Sequence, residues 1–400
     1  MSDLETALKR GVEKIYPSEE ELRKVLDTDK KITLYCGYDP TAPDLHLGHA
    51  ITLLKLADFQ KLGHKVIFLI GDFTGMIGDP TDKSATRVKL TREQVEENAK
   101  TFKDQGGKIL NFGGTNSAEV KFNSEWNDKV TFRDLIEIAS HFTVQQMIER
   151  DMFDKRIKEN KPISLHEFLY PLMQGYDSVA MNVDLEIGGS DQTFNMLAGR
   201  TLMKQLKGKE KFVLTLQLLE DDQGRKMSKS EGSFISLRDN PNDMYAKVMA
   251  FPDGMITKAF ILCTRVEEAR VEQYDQQLKS GENPINVKKI LAYEVIKLLN
   301  NEHVAKEAQE NFESVVQRKE LPSNIPVITL STPKSVATIT NILVSANFAG
   351  SNSEARRLIS QGSVSDDGEK ITDFNFIPES GSIIKSGKKH IAKIVYKGEQ

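Results

Sequence analysis

The chain has 400 residues, 39% hydrophobic and 28% charged, with a net charge of -4 at pH 7 and a pI near 6.1. Its length implies two or three domains, and its charge excludes a polycation that binds nucleic acid by bulk attraction, so RNA contact must come from local basic faces. Two cysteines, Cys36 and Cys263, argue against a disulfide scaffold or a four-cysteine zinc site; with no secretion signal and no apolar run longer than a strand, a cytoplasmic protein with no membrane partner is expected.

A helical opening is predicted over 2 to 26. It leads into KITLYCGYDP, an alternating, β-branched run that reads as a strand ending at Pro40. HLGHAITLLKLADFQKLG then places its apolar residues mostly on one helical face and stops at Gly63. HKVIFLIGD is a second, almost wholly apolar strand, as a buried parallel strand requires, and completes a βαβ unit. Residues 91 to 160 are charged and read as a helix-rich insertion. The core pattern resumes with the helix ISLHEFLYPLMQGYDSVAM, the strand VDLEIGGSD, the helix QTFNMLAGRTLMKQL and the strand KFVLTLQLLE. Together these predict a doubly wound, parallel-sheet α/β domain, with 1–232 as the first domain. The Lys-, Glu- and Gln-rich helices of 233–320 form an all-helical domain. Residues 321–335 hold Pro322, Pro326 and Pro333 and read as a linker, and 336–400 as a small basic α+β module.

Two short motifs carry the chemistry. His46 and His49 stand three apart at the start of a helix that follows a buried strand, where backbone N–H groups and the helix dipole favour an anion. A phosphate is the natural guest; capping histidines and a zinc pair are the alternatives, and zinc lacks a third ligand at a recognisable spacing. Gly48 removes a side chain where a nucleotide ring would press against the helix. KMSKS, residues 226 to 230, puts Lys226 and Lys229 in a Gly- and Ser-rich segment suited to closing over a polyphosphate. A third pattern concerns specificity. Tyr170, Gln174 and Asp177 fall at i, i+4 and i+7 of one helix and so form a single polar stripe.

HLGH after the first strand and KMSKS after the last resemble the class I aminoacyl-tRNA synthetases, which implies a Rossmann-like catalytic domain. YCGYDPTAPDLHLGH, GDFTGMIGDP, YPLMQGYD and GGSDQ are similar, in order and spacing, to the tyrosyl-tRNA synthetase family, and to its bacterial branch with an intact KMSKS. The resemblance covers the whole chain and implies two-step attachment of L-tyrosine to tRNA(Tyr) through tyrosyl-AMP. ATP with Mg²⁺ would be consumed, and no dedicated metal ligand set is implied.

By the same resemblance, Tyr35 and Asp177 hydrogen-bond the phenolic hydroxyl of tyrosine. Asp79, Tyr170 and Gln174 hold its ammonium, and Gln192 lies near its carboxylate. Asp191 binds the ribose; Cys36, Gly37, Gly48 and Gly189 line the nucleotide cleft with Met227, Ser228 and Lys229 of the KMSKS segment; Asp39 lies near the amino and phosphate groups. Thr41, His46, Lys226 and Lys229 stabilise the departing pyrophosphate, and His49 supports the ribose or the loop. SEARRLISQGSV is similar to the core of a small RNA-binding module first known from a ribosomal small-subunit protein, with Arg356 and Arg357 tracking phosphates. The helices of 233–320 would read the anticodon, and a homodimer is implied. Tryptophanyl-tRNA synthetases share the architecture, but the Tyr35 and Asp177 pair and the basic tail disfavour them. Nucleotidylyltransferases with an HxGH helix are shorter and lack KMSKS, and a paralogue without activity would show damage to motifs that are intact here.

Overall fold

The first sheet has six strands: β1 (Val12–Tyr16), β2 (Thr33–Tyr38), β3 (Lys65–Ile70), β4 (Glu119–Phe122), β5 (Leu185–Gly189) and β6 (Phe212–Leu216). Their order is β1-β6-β5-β2-β3-β4, and all pairings are parallel except the antiparallel edge pair of β1 with β6. These features belong to a computed structural model that describes residues 2–79, 90–148, 151–220, 234–314, 325–330, 334–387 and 390–397. Two compact units emerge, 1–309 and 310–400.

The central strands form because their residues are apolar on both faces. Val66 to Ile70 and Val213 to Leu216 are buried throughout. The signature helix Leu47–Lys61 carries the chain from β2 to its neighbour β3, and the helix Thr193–Lys207 carries it from β5 to its neighbour β6. The two steps run in opposite directions along the sheet. With right-handed crossovers in both, the helices must cover opposite faces, which is double winding. The strand order reverses between β5 and β2, so a crevice opens beyond their carboxyl ends.

Two expectations are corrected within this unit. The opening is not one helix: Asp3–Lys9 ends before Gly11, whose φ of +65° breaks the helix, and β1 follows before the helix Glu19–Leu26. The insertion over 91–160 is not only helical, because β4 lies within it and pairs in parallel with β3, Ile67 opposite Glu119 and Ile70 opposite Phe122. Helices account for the described residues from Pro241 to Phe312: Pro241–Met249, Ile256–Cys263, Glu268–Lys279, Pro284–Leu299 and Glu302–Phe312.

Arg10 anchors part of this helical region to the sheet domain. Its guanidinium donates to the carbonyls of Phe260, Ile261, Thr264 and Val266 at 2.7–3.0 Å, satisfying the last turn of the helix Ile256–Cys263. Arg265 in turn donates to Asp58 and to the Leu54 carbonyl on the signature helix.

The unit 310–400 contains a five-stranded sheet in the order β7-β11-β10-β8-β9. Its strands are β7 (Val327–Leu330), β8 (Val364–Asp366), β9 (Glu369–Lys370), β10 (Ile383–Ser386) and β11 (His390–Tyr396). The helices Ile339–Ser345 and Asn352–Ser360 pack on it through Ile339, Ile342, Leu343, Ala355 and Ile359. The stretch expected to be a linker, 321–335, therefore contains a strand: β7 pairs in parallel with β11, Val327 beside Lys393 and Leu330 beside Tyr396. Among the described residues no helix is long and apolar enough to cross a membrane.

Candidate active site

The crevice at the strand reversal is a cleft of about 1100 Å³. The end of β2 supplies Tyr35, Cys36 and Gly37, followed by Asp39 and Thr41. The start of the signature helix supplies His46, Gly48 and His49. Asp79 follows β3, and Tyr170, Gln174 and Asp177 come from the helix Leu165–Met181. The end of β5 supplies Gly189, Asp191 and Gln192. All fifteen line this one cleft. Lys226, Met227, Ser228 and Lys229 lie outside the described residues, but Leu219 and Phe234 on either side of them line the cleft.

At the nucleotide end, His46 caps the signature helix. Its Nδ1 accepts from the Gly48 N–H and the His49 Nδ1 accepts from the His46 N–H, each at 3.1 Å, and the two rings stack 3.8 Å apart. A neutral imidazole that accepts at Nδ1 carries its proton on Nε2. Capping thus sets both rings as Nε2 donors at a helix N-terminus, the polarity an anionic phosphate requires. Gly48 has a reason closer to hand than clearance for a nucleotide: a Cβ there would lie 2.8 Å from His46 Cε1 and 2.9 Å from its Nδ1.

The segment after 221–233 is held against this loop. Leu47 N–H donates to the Ile235 carbonyl and Leu237 N–H to the Leu45 carbonyl, both at 2.9 Å, forming a bridge between His46 and Ser236. Cys36 on β2 is buried, and burial pushes its thiol up to about 12, so it remains a neutral lining group.

In the middle of the cleft, residues expected in separate roles are joined. Tyr170 donates to Asp39 Oδ2 at 2.8 Å and Thr74 donates to Asp39 Oδ1 at 2.7 Å. Gln192 Nε2 donates to Asp79 Oδ2 at 2.6 Å, while its own Oε1 accepts from Asn195 Nδ2 at 3.0 Å. Burial, then Asp39 and Asp79, hold the Tyr170 phenol well above its ordinary value and keep it a donor.

At the closed end lies Asp177, fully buried. Its Oδ1 accepts from Trp126 Nε1 at 2.7 Å and Asn127 Nδ2 at 3.1 Å, and its Oδ2 from Asn123 Nδ2 at 3.2 Å. Burial pushes the carboxyl up to about 8, and each of the three donors pulls it the other way. Tyr35, also without exposure, places its hydroxyl 2.9 Å from Ser178 Oγ, and Gln174 Nε2 donates to Glu186 Oε1 at 3.1 Å.

Asn123, Trp126 and Asn127 are not legible in the sequence because β4, which delivers them, lies within the stretch that reads as a helix-rich insertion. The chain's single tryptophan, set in the polar run NSEWND, was the available signal. Ser178 and Glu186 stand next to or near motif residues, yet only strand register shows that they converge.

In comparisons with known proteins, the family described as tRNA synthetases class I (W and Y) matches residues 27–317, and that described as Tyrosine--tRNA ligase SYY-like C-terminal domain matches 317–392. The first match places the chain among the class I tRNA synthetases. The tyrosine--tRNA ligase of Thermotoga maritima is 46% identical over 391 residues, spanning 97% of this chain and 96% of that protein. That of Carboxydothermus hydrogenoformans is 44% identical over 400 residues, spanning 97% of each. The chain belongs to the tyrosine--tRNA ligase family. Among solved structures, a tyrosyl-tRNA synthetase complexed with L-tyrosine from Archaeoglobus fulgidus is 25% identical with a TM-score of 0.59, covering 77% of this chain and 98% of that one. A C-terminally truncated mitochondrial tyrosyl-tRNA synthetase of Coccidioides posadasii shares the fold at 23% identity and a TM-score of 0.63, covering 78% and 91%.

Proposed function

We propose that the cleft joins L-tyrosine to ATP as tyrosyl-AMP, releasing pyrophosphate, and then passes the tyrosyl group to the 3′ end of tRNA(Tyr). The observation that carries the amino-acid assignment is the closed polar end of the cleft. The buried Asp177 carboxyl and the buried Tyr35 phenol are groups to which a phenolic hydroxyl adds hydrogen bonds that an apolar side chain cannot make. Asp79, Tyr170 and Gln174 hold the ammonium, Gln192 faces the carboxylate, and Cys36, Gly37, Asp39, Gly189 and Asp191 border the nucleotide.

A carboxylate is already a nucleophile, so the first step needs no general base. Alignment and charge stabilisation remain. His46 and His49 present Nε2–H toward the phosphates; Thr41 lies beside them, and Lys226 and Lys229 belong to the same task by motif. Mg²⁺ bound with the ATP would be held mainly by phosphate oxygens and would supply charge compensation for the pyrophosphate. Asp39 and Asp79 are already hydrogen-bonded by Tyr170, Thr74 and Gln192, which suits them to contact through water rather than direct ligation.

For tRNA, Arg356 and Arg357 are exposed on the helix Asn352–Ser360 and fit phosphates; the helices from Pro241 to Phe312 are assigned to the anticodon. A homodimer is supported by apolar side chains left in solvent: Phe132 and Ile136, one turn apart on the helix Phe132–Ser140, with Val144 and Leu165. Purified protein is expected to catalyse tyrosine-dependent exchange of pyrophosphate into ATP without tRNA. Exchange supported by tryptophan and not by tyrosine overturns the assignment.

A further inference from the structure

A lysine that no motif pointed to stands behind the tyrosine end of the cleft. Lys211, just before β6, is wholly buried. Its ammonium donates to the Glu186 carboxylate, to Ser178 Oγ at 2.8 Å and to the Met196 carbonyl at 3.1 Å. Three N–H donors meet three acceptors. Residue 199 must be glycine to make room, since a Cβ there would lie 2.6 Å from the lysine Nζ and 2.8 Å from Ser178 Oγ. An apolar residue of similar length would fill this volume without desolvating a charge, so packing alone does not account for a lysine.

Donor and acceptor chemistry does. An ammonium only donates. Ser178 Oγ therefore accepts from Lys211 and has one proton left to give. Two oxygens compete for it, the Tyr35 hydroxyl at 2.9 Å and Glu186 Oε2 at 3.4 Å, and the shorter contact is to Tyr35. Burial, with Glu186 and Asp177 adding to it, holds the Tyr35 phenol well above its ordinary value, so that hydroxyl keeps its own proton. Either hydroxyl can donate across that contact; with Ser178 as the donor, Tyr35 accepts and its own proton is left for the cleft.

We propose that Lys211 and Ser178 are positioning residues that fix the direction of hydrogen bonding at Tyr35: Tyr35 donates to the phenolic oxygen of the substrate, and the substrate O–H donates to Asp177. The inference rests on the tyrosine reading of the cleft. A ligand held this way gives one hydrogen bond and receives one, and phenylalanine can make neither.

The test uses the full-length protein in pyrophosphate exchange. Ser178→Ala is expected to raise the KM for tyrosine about tenfold. The KM for ATP stays unchanged, as does the inhibition constant of phenylalanine as a competitor of tyrosine. A residue that merely supports the wall would weaken tyrosine and phenylalanine together. Joint weakening, or no change in either, overturns the relay. Lys211→Met combined with Glu186→Gln removes both charges without stranding one, and the same split between tyrosine and phenylalanine is expected. Wild-type protein without tyrosine-dependent exchange overturns the cleft reading and the relay with it; wild-type exchange with joint weakening in the variants overturns the relay alone.

Discussion

The indole of Trp126 donates to the Asp177 carboxylate across 2.7 Å, linking the segment that follows the edge strand β4 to the helix Leu165–Met181. That bond is one of three that hold a wholly buried carboxyl in place, and its removal is expected to be visible in titration.

Burial raises the Asp177 carboxyl to about 8, so in the free protein its charge changes near neutral pH. A phenolic O–H needs the ionised form as acceptor. The kcat/KM for tyrosine is therefore expected to rise with pH through about 8. Trp126→Phe removes one donor to the carboxylate, which moves the carboxyl higher still, and the profile should shift to higher pH. A wild-type and variant pair of pH profiles checks the sign; a shift to lower pH, or none, refutes it.

Gly48→Ala should separate activity from stability. Alanine favours a helix over glycine by roughly 0.5–1 kcal/mol, so the melting temperature should hold or rise. The new Cβ would collide with the His46 imidazole, 2.8 Å from Cε1, and turn it off its Nδ1 cap. The exchange kcat should fall about tenfold or more through lost alignment. Unchanged kcat would show that this ring orientation has no part in the reaction.

Arg10→Met tests the anchor between the sheet domain and the helices. The four carbonyls that Arg10 satisfies would lose their donor in a largely water-free place. A loss of about 3 kcal/mol in unfolding free energy is expected, read as a lower urea midpoint at unchanged slope. A loss under half of that would place the anchoring elsewhere.

Ile136→Asp probes the apolar face of the helix Phe132–Ser140. Ile136 is 58% exposed in the single chain, so a charge there should cost the monomer little. Sedimentation should show the wild type as a dimer and the variant shifted to monomer. A variant that stays dimeric puts the interface on another surface.

The parts of the fold that were legible in the sequence are those whose burial is two-sided. Val66 to Ile70 are apolar without interruption and Val213 to Leu216 are broken only by Thr215, and both runs are buried throughout. β4 was not legible: its residues, Glu-Val-Lys-Phe, are half-exposed or exposed at a sheet edge, so no apolar period marks it. β1 was hidden between two charged helices, with only Gly11 to signal the break. The cleft residues were readable where a motif holds them, as at HLGH and YPLMQGYD. Lys211 and Glu186 were not, because nothing in the chain order says that two opposite charges, one just before β6 and one within β5, meet behind the pocket.

The bridge between His46 and Ser236 ties the HLGH turn to the segment that follows residue 233. The chain enters 221–233 from beyond β6 and returns at a position hydrogen-bonded to the same turn that orients His46. The turn that orients His46 and the segment that follows residue 233 thus share two backbone hydrogen bonds. The backbone of residues 235–237, distant in sequence from HLGH, is thereby part of the frame of the histidine site.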